Sequence, residues 1–116
     1  NMALSEAFAN SATIGVTEWS LTTNTAGPDA ELSDGVFQIF LDVNAIAGGD
    51  EFQIKIYEKV QSTGTQRLIY QSNLVGPQGN PIWVSPSLLL LHGWDVTLLK
   101  IAGTDRIIEW SIRKAA

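Results

Sequence analysis

Residues 37–57, FQIFLDVNAIAGGDEFQIKIY, decide the fold class. Phe37, Ile39, Leu41 and Val43 alternate with Gln38 and Asp42, and Phe52, Ile54 and Ile56 alternate with Gln53, Lys55 and Tyr57. Successive side chains of an extended chain point to opposite faces, so this period of two predicts two strands, each with one buried face. Gly48-Gly49-Asp50 stands between them, where a hairpin turn needs positive φ, and predicts that the two strands pair as a hairpin.

Toward the C-terminus, a turn centred on Gly64 leads into a strand over 67–74, and residues 76–81 (Gly-Pro-Gln-Gly-Asn-Pro) make a loop. Ile82-Trp83-Val84 lies between Pro81 and Pro86 and reads as an edge strand, because proline donates nothing to a ladder. Leu88–Leu91 reads either as a buried strand or as one helical turn. Residues 94–101 and 106–113 read as a second hairpin across Ala102-Gly103-Thr104-Asp105, with Ile108, Trp110 and Ile112 on the core face. Toward the N-terminus, residues 23–35 are turn-rich and read as a surface loop. Residues 13–22 are β-like, and their phase slips near Thr17-Glu18, which marks a bulge or an end of pairing. Leu4, Ala7 and Phe8 share one face at helical spacing, so residues 1–12 read as an N-terminal arm or short helix. Asn1-Met2 reads as a start methionine preceded by one added residue. The expected fold is all-β: a single-domain antiparallel β-sandwich or jelly roll of about seven to eight strands over 13–116, with the short arm before it.

Composition removes several functions. With 116 residues, 45% hydrophobic and 16% charged, the chain has the size and content for one domain with its own core. There is no cysteine for a disulfide framework or a thiolate metal site, and one histidine cannot build a multi-histidine zinc site. The formal charge of −5 argues against nucleic acid, whose binding needs clustered Lys and Arg. The longest apolar run, Leu88–Leu91, is far below the ~20 residues of a membrane span, and no secretory signal is read at the N-terminus. Absence of cysteine fits assembly in a reducing cytoplasm. No cofactor is expected.

One string looks catalytic. Gly48-Gly49-Asp50-Glu51-Phe52 spells the signature of diguanylate cyclases. That family's domain is longer than this chain, alternates helices with strands and carries a separate metal-binding Asp upstream. Here Ile46-Ala47 precede the string, and Ile46-Ala47-Gly48-Gly49-Asp50 is echoed by Ile101-Ala102-Gly103-Thr104-Asp105 between two other strands. The echo keeps the turn residues and drops the signature, so the string reads as turn geometry. Asp42, Asn44, Asp50 and Glu51 cluster oxygen donors near one loop, but counting from Asp42 the calcium-loop pattern fails at Ile46, Ala47 and Gln53. His92 lacks any local signature of a nucleophile–base set, and residues 76–79 lack the Lys-Ser/Thr and helix of a phosphate loop. No catalytic residue is assigned.

Aromatic residues are the remaining candidates. Trp110 falls in phase with Ile108 and Ile112 and reads as core. Trp83, between two proline-marked loops, and Trp19, at the phase slip, are candidates for exposed rings that contact a partner or stack on sugar. Leu4 and Phe8 are candidate anchors by which the arm orders on a partner.

Several stretches together resemble small all-β proteins of tailed phages and environmental viral sequences. They are residues 16–21 (VTEWSL), 34–38 (DGVFQ), Asp50-Glu51-Phe52 running on to Tyr57-Glu58-Lys59, and above all 92–97 (HGWDVT) with 102–106 (AGTDR) and 109–113 (EWSIR). The resemblance spans 13–114 and rests on turns and core positions. It implies a non-enzymatic virion protein of the capsid decoration or cement type, bound to the major capsid protein on the capsid surface. It also implies self-association as a dimer or trimer and assembly in the host cytoplasm, without nucleic acid or membrane as partner. Alternatives are a carbohydrate-binding or receptor-binding module that uses Trp83 or Trp19, and a tail or head-completion component.

Overall fold

The structure, a computed structural model, describes residues 3–115; the reading of Asn1-Met2 falls outside them. Among the described residues there are ten strands and no helix: β1 (Leu4–Ile14), β2 (Trp19–Ser20), β3 (Thr25–Ala26), β4 (Gly35–Asp42), β5 (Glu51–Glu58), β6 (Arg67–Val75), β7 (Ile82–Val84), β8 (Leu88–Leu90), β9 (Asp95–Ala102) and β10 (Arg106–Ala115). They form two antiparallel five-stranded sheets. One has the order β1-β10-β4, with β7 and β8 both on the far edge of β4; the other has the order β3-β2-β9-β5-β6. The all-β sandwich is as the alternation predicts.

The core lies between the sheets. Phe37, Ile39 and Leu41 of β4 and Ile108, Trp110 and Ile112 of β10 are buried on one side. Phe52, Ile54 and Ile56 of β5 and Trp94, Val96 and Leu98 answer them from the other. Burying one such side chain is worth roughly 1.5–3 kcal/mol, so these rows dominate the favourable side of folding. The two indoles keep their N–H groups bonded: Trp110 Nε1 donates to Leu21 O at 3.0 Å and Trp94 Nε1 to Ser33 O at 2.7 Å.

Both predicted hairpins are corrected. β4 and β5 lie in different sheets, and so do β9 and β10. β9 already has β2 and β5 as neighbours, and β10 has β1 and β4, so neither has a free edge for the other. The two connections are corners that carry the chain over the end of the sandwich. Val43 and Ile46 are buried in the first of them, as a crossover beside the core demands. The hairpins that do form among the described residues join β2 to β3 and β5 to β6, the latter through the turn at Gly64.

The arm or helix over 1–12 is also corrected. Residues 4–14 form β1, paired with β10 from Leu4↔Ala115 to Ile14↔Arg106. Phe8, Ala12 and Ile14 face the core at strand spacing, and the register shift between Glu6 and Phe8 hides that period from a helical reading. Phe8 packs edge-on to Trp94, with ring centroids 5.9 Å apart. Pairing ends after Ile14 and resumes at Trp19, as the phase slip predicts.

Pro81 and Pro86 bracket edge strand β7 as expected, and Leu88–Leu90 is a strand. β7 and β8 are one edge strand broken at Ser85-Pro86. Ser85 bridges the gap: its N–H donates to Ile39 O at 2.9 Å, and its Oγ accepts from Ile39 N at 2.9 Å.

Candidate functional site

The catalytic-looking string is used up in holding a corner. Asp50 is buried where the two connections meet. Its carboxylate accepts from Arg106 Nε at 2.7 Å, from Thr104 N at 3.0 Å and from Ala47 N at 2.9 Å. The Arg106 hydrogen bond first, then the two backbone donors, hold this carboxyl well below the ordinary carboxylate range. A Cβ on Gly103, whose φ is +90°, would collide with the Asp50 carboxylate and with Gly49 O. The internal echo thus has a physical basis: the repeated turns pack on each other, and Asp50 ties them. Glu51 points elsewhere and accepts from Asn73 Nδ2 at 2.8 Å.

The other polar groups are likewise engaged. Asp95 is buried and accepts from Ser20 Oγ at 3.0 Å, Thr22 Oγ1 at 2.8 Å, Val96 N at 2.9 Å and Asp29 N at 2.6 Å. It ties the loop after β2 to β9. Glu18 accepts from Tyr57 Oη at 2.5 Å and Thr97 Oγ1 at 2.6 Å; burial first, then Glu18, pushes the Tyr57 phenol far up. Ser20 and Asp95 meet, while His92 bonds through its backbone to Glu58 and Lys59. Asp42 accepts from Asn44 N at 3.1 Å and is not brought to Asp50. Among the described residues no group of three or more His, Asp or Glu is placed to hold a metal, and no helix is long and apolar enough to cross a membrane.

Of the four residues singled out for partner contact, only Leu4 is a freely exposed apolar side chain. Phe8 is spent on Trp94. Trp83, opposite Leu41, packs partly buried against the core from β7 and is not the exposed ring expected. Trp19 is half-buried against the core, with Nε1 donating to Asn24 Oδ1 at 2.9 Å.

Two apolar surfaces were missed. The first is the outer face of the β1-β10-β4-β7/β8 sheet. Register aligns Leu4, Ala115, Val36 and Leu89 in one row across it, and Ala9, Ser111, Phe40 and Val84 in another. The Arg113 guanidinium lies 3.8 Å from the Phe40 ring centroid. The second is one end of the sandwich, opposite the Asp50 corner. There Glu31 and Trp94 exchange backbone bonds of 2.7 and 3.0 Å, Lys59 N donates to His92 O at 3.0 Å, and Glu58 accepts from the backbone N–H groups of Leu91 and His92. Gln66 adds bonds to Asp29 O and Gly93 O. The three tethered segments expose Leu32, Val60 and Leu91, at 79%, 90% and 52%. One signal could have found them: each is an aliphatic residue in a stretch with no alternation to call it inward.

No family model matches the chain, and no curated protein matches it. Among solved structures, the chain described as "Structure of Eiger TNF from S. frugiperda" aligns with a TM-score of 0.44 and 13% sequence identity. The alignment covers 99% of this chain and 92% of that one.

Proposed function

We propose that this chain is a non-enzymatic structural protein of a viral particle, a decoration or cement protein that binds the major capsid protein shell and stabilises it. The observation that carries the reading is the loop end: three tethered segments each raise an aliphatic side chain into solvent. Exposed apolar groups on a rigid frame mark a contact surface for another protein. Ordering them in advance leaves little entropy to lose on docking. The fold suits the task, since its buried carboxylates are bound to backbone and side-chain donors and lock corners and loops. The resemblance of the core and turn stretches to tailed-phage virion proteins points the same way. The glycan-binding alternative relied on an exposed Trp83 or Trp19, and both rings pack partly buried against the core.

A cement protein stabilises a shell by binding the assembled state over the dissociated one. The test is to add the purified chain to empty shells assembled from a tailed-phage major capsid protein. The expected result is saturable binding to the outer surface by cryo-electron microscopy and a higher melting temperature of the shell. A chain that does not bind shells, or that is found at the tail of purified particles, overturns the reading.

A further inference from the structure

We infer that the outer face of the β1-β10-β4-β7/β8 sheet is the interface of a symmetric homodimer of this chain. This deepens the self-association part of the proposed function and leaves the loop end free for the shell.

Outward side chains on that face are ordered in rows. Register places five rows of outward side chains. The middle row is Ala9, Ser111, Phe40 and Val84, uncharged and centred on an aromatic ring. On one side lies an acidic row, with Glu109 beside Asp42. On the other side lies Arg113 beside Gln38, with Glu6 opposite Arg113 and bonded to Ser111 Oγ. The outermost rows are apolar at both ends: Ile107 with Thr13 beyond the acidic row, and Leu4, Ala115, Val36 and Leu89 beyond the basic one.

Two copies laid face to face about a twofold axis along the middle row exchange the flanking rows. Glu109 of each copy then faces Arg113 of the other, the Phe40 ring with the Arg113 guanidinium over it meets the same pair across the axis, and Ile107 meets the Leu4-to-Leu89 row. An isologous interface requires a surface complementary to itself, and this order of rows meets it position by position: Glu109 faces Arg113, Asp42 faces Gln38 and Glu6 faces Ser11, so no carboxylate meets another. A second copy is therefore favoured over an unrelated partner, which would have no reason to match both flanks at once.

Size agrees. Five rows two residues apart and four strands abreast make a face of roughly 27 by 19 Å, on the order of 500 Å² in projection. Accessible area exceeds projection, so this approaches the ~800 Å² that each partner brings to a standard interface.

The test uses the chain alone, without capsid, so its failure is distinct from failure of the decoration reading. Light scattering on the purified protein should give twice the chain mass of 12.6 kDa. Glu109→Arg places two cations in contact at each symmetric site, and Arg113→Glu places two anions there, so each single variant should run as a monomer. Both positions are exposed, and an unchanged circular dichroism melt would show that each variant is folded. Mixing the two folded variants should restore the dimer, because in the heterodimer every such contact is again an Arg against a Glu. A monomeric or trimeric wild type overturns the inference. So does a dimer that both single variants leave intact, which would place the interface elsewhere, or a mixture that stays monomeric.

Discussion

Asp50 accepts hydrogen bonds from three places in the chain: Ala47 and Thr104 in the two turns, and Arg106 at the start of β10. Its folded-state pKa is depressed, so its ionised form adds stability above its ordinary value near 3.8, and that contribution is lost as pH falls through and below that value. Asp50→Asn removes the charge and one acceptor oxygen. The expected outcome is a lower urea midpoint at pH 7 and a smaller difference between the midpoints at pH 7 and pH 3 than in the wild type; equal slopes with pH would show that Asp50 does not carry this dependence. Gly103→Ala should destabilise by about 2 kcal/mol or more, since the new methyl meets the carboxylate and the backbone sits at φ +90°. Denaturant unfolding measures that cost. At this scale the sequence revealed a repeated turn and could not show that the two copies touch.

β1 is the element that sequence reading placed least well. Its outward positions are mostly small or polar, so only Phe8, Ala12 and Ile14 mark the inner face, and the register shift after Glu6 breaks the period. What makes it a strand is β10, which offers a full edge from the other terminus of the chain. Phe8→Ala should cost about 2–3 kcal/mol, toward or below the lower end for a buried phenylalanine because Phe8 is only partly covered. Loss of the Phe8 edge against Trp94 should also change the near-ultraviolet circular dichroism. Deleting residues 3–12 strips β10 of its neighbour and should abolish cooperative thermal unfolding. A truncated chain that melts as the full one does would mean that β1 is dispensable, as a detached arm would be. By contrast, β7 was legible because Pro81 and Pro86 leave it only an edge position.

On the proposed reading, two surfaces of the whole molecule divide the work: a loop end for the shell and a sheet face for a second copy. Converting Leu32, Val60 and Leu91 together to serine should leave the melting temperature of the free protein within about 2 °C, because exposed side chains contribute little to folding. The same triple variant should lower occupancy on shells at least tenfold, read by co-sedimentation. If occupancy is unchanged, the loop end is not the docking surface.

The amino-acid sequence carries the runs of β4, β5, β9 and β10, the side chains that turn inward along them, and the turns at their ends. These are local properties: alternation reports that one face of a strand is dry, and Gly, Pro, Asn and Asp report where a ladder stops. Which sheet each strand joins is settled by long-range packing. Alternation is the same whether two strands lie side by side or face each other across the core, so hairpins and corners look alike in the sequence. The same holds for Asp50, Trp83 and Phe8, whose roles depend on neighbours that the chain brings back from far along its length.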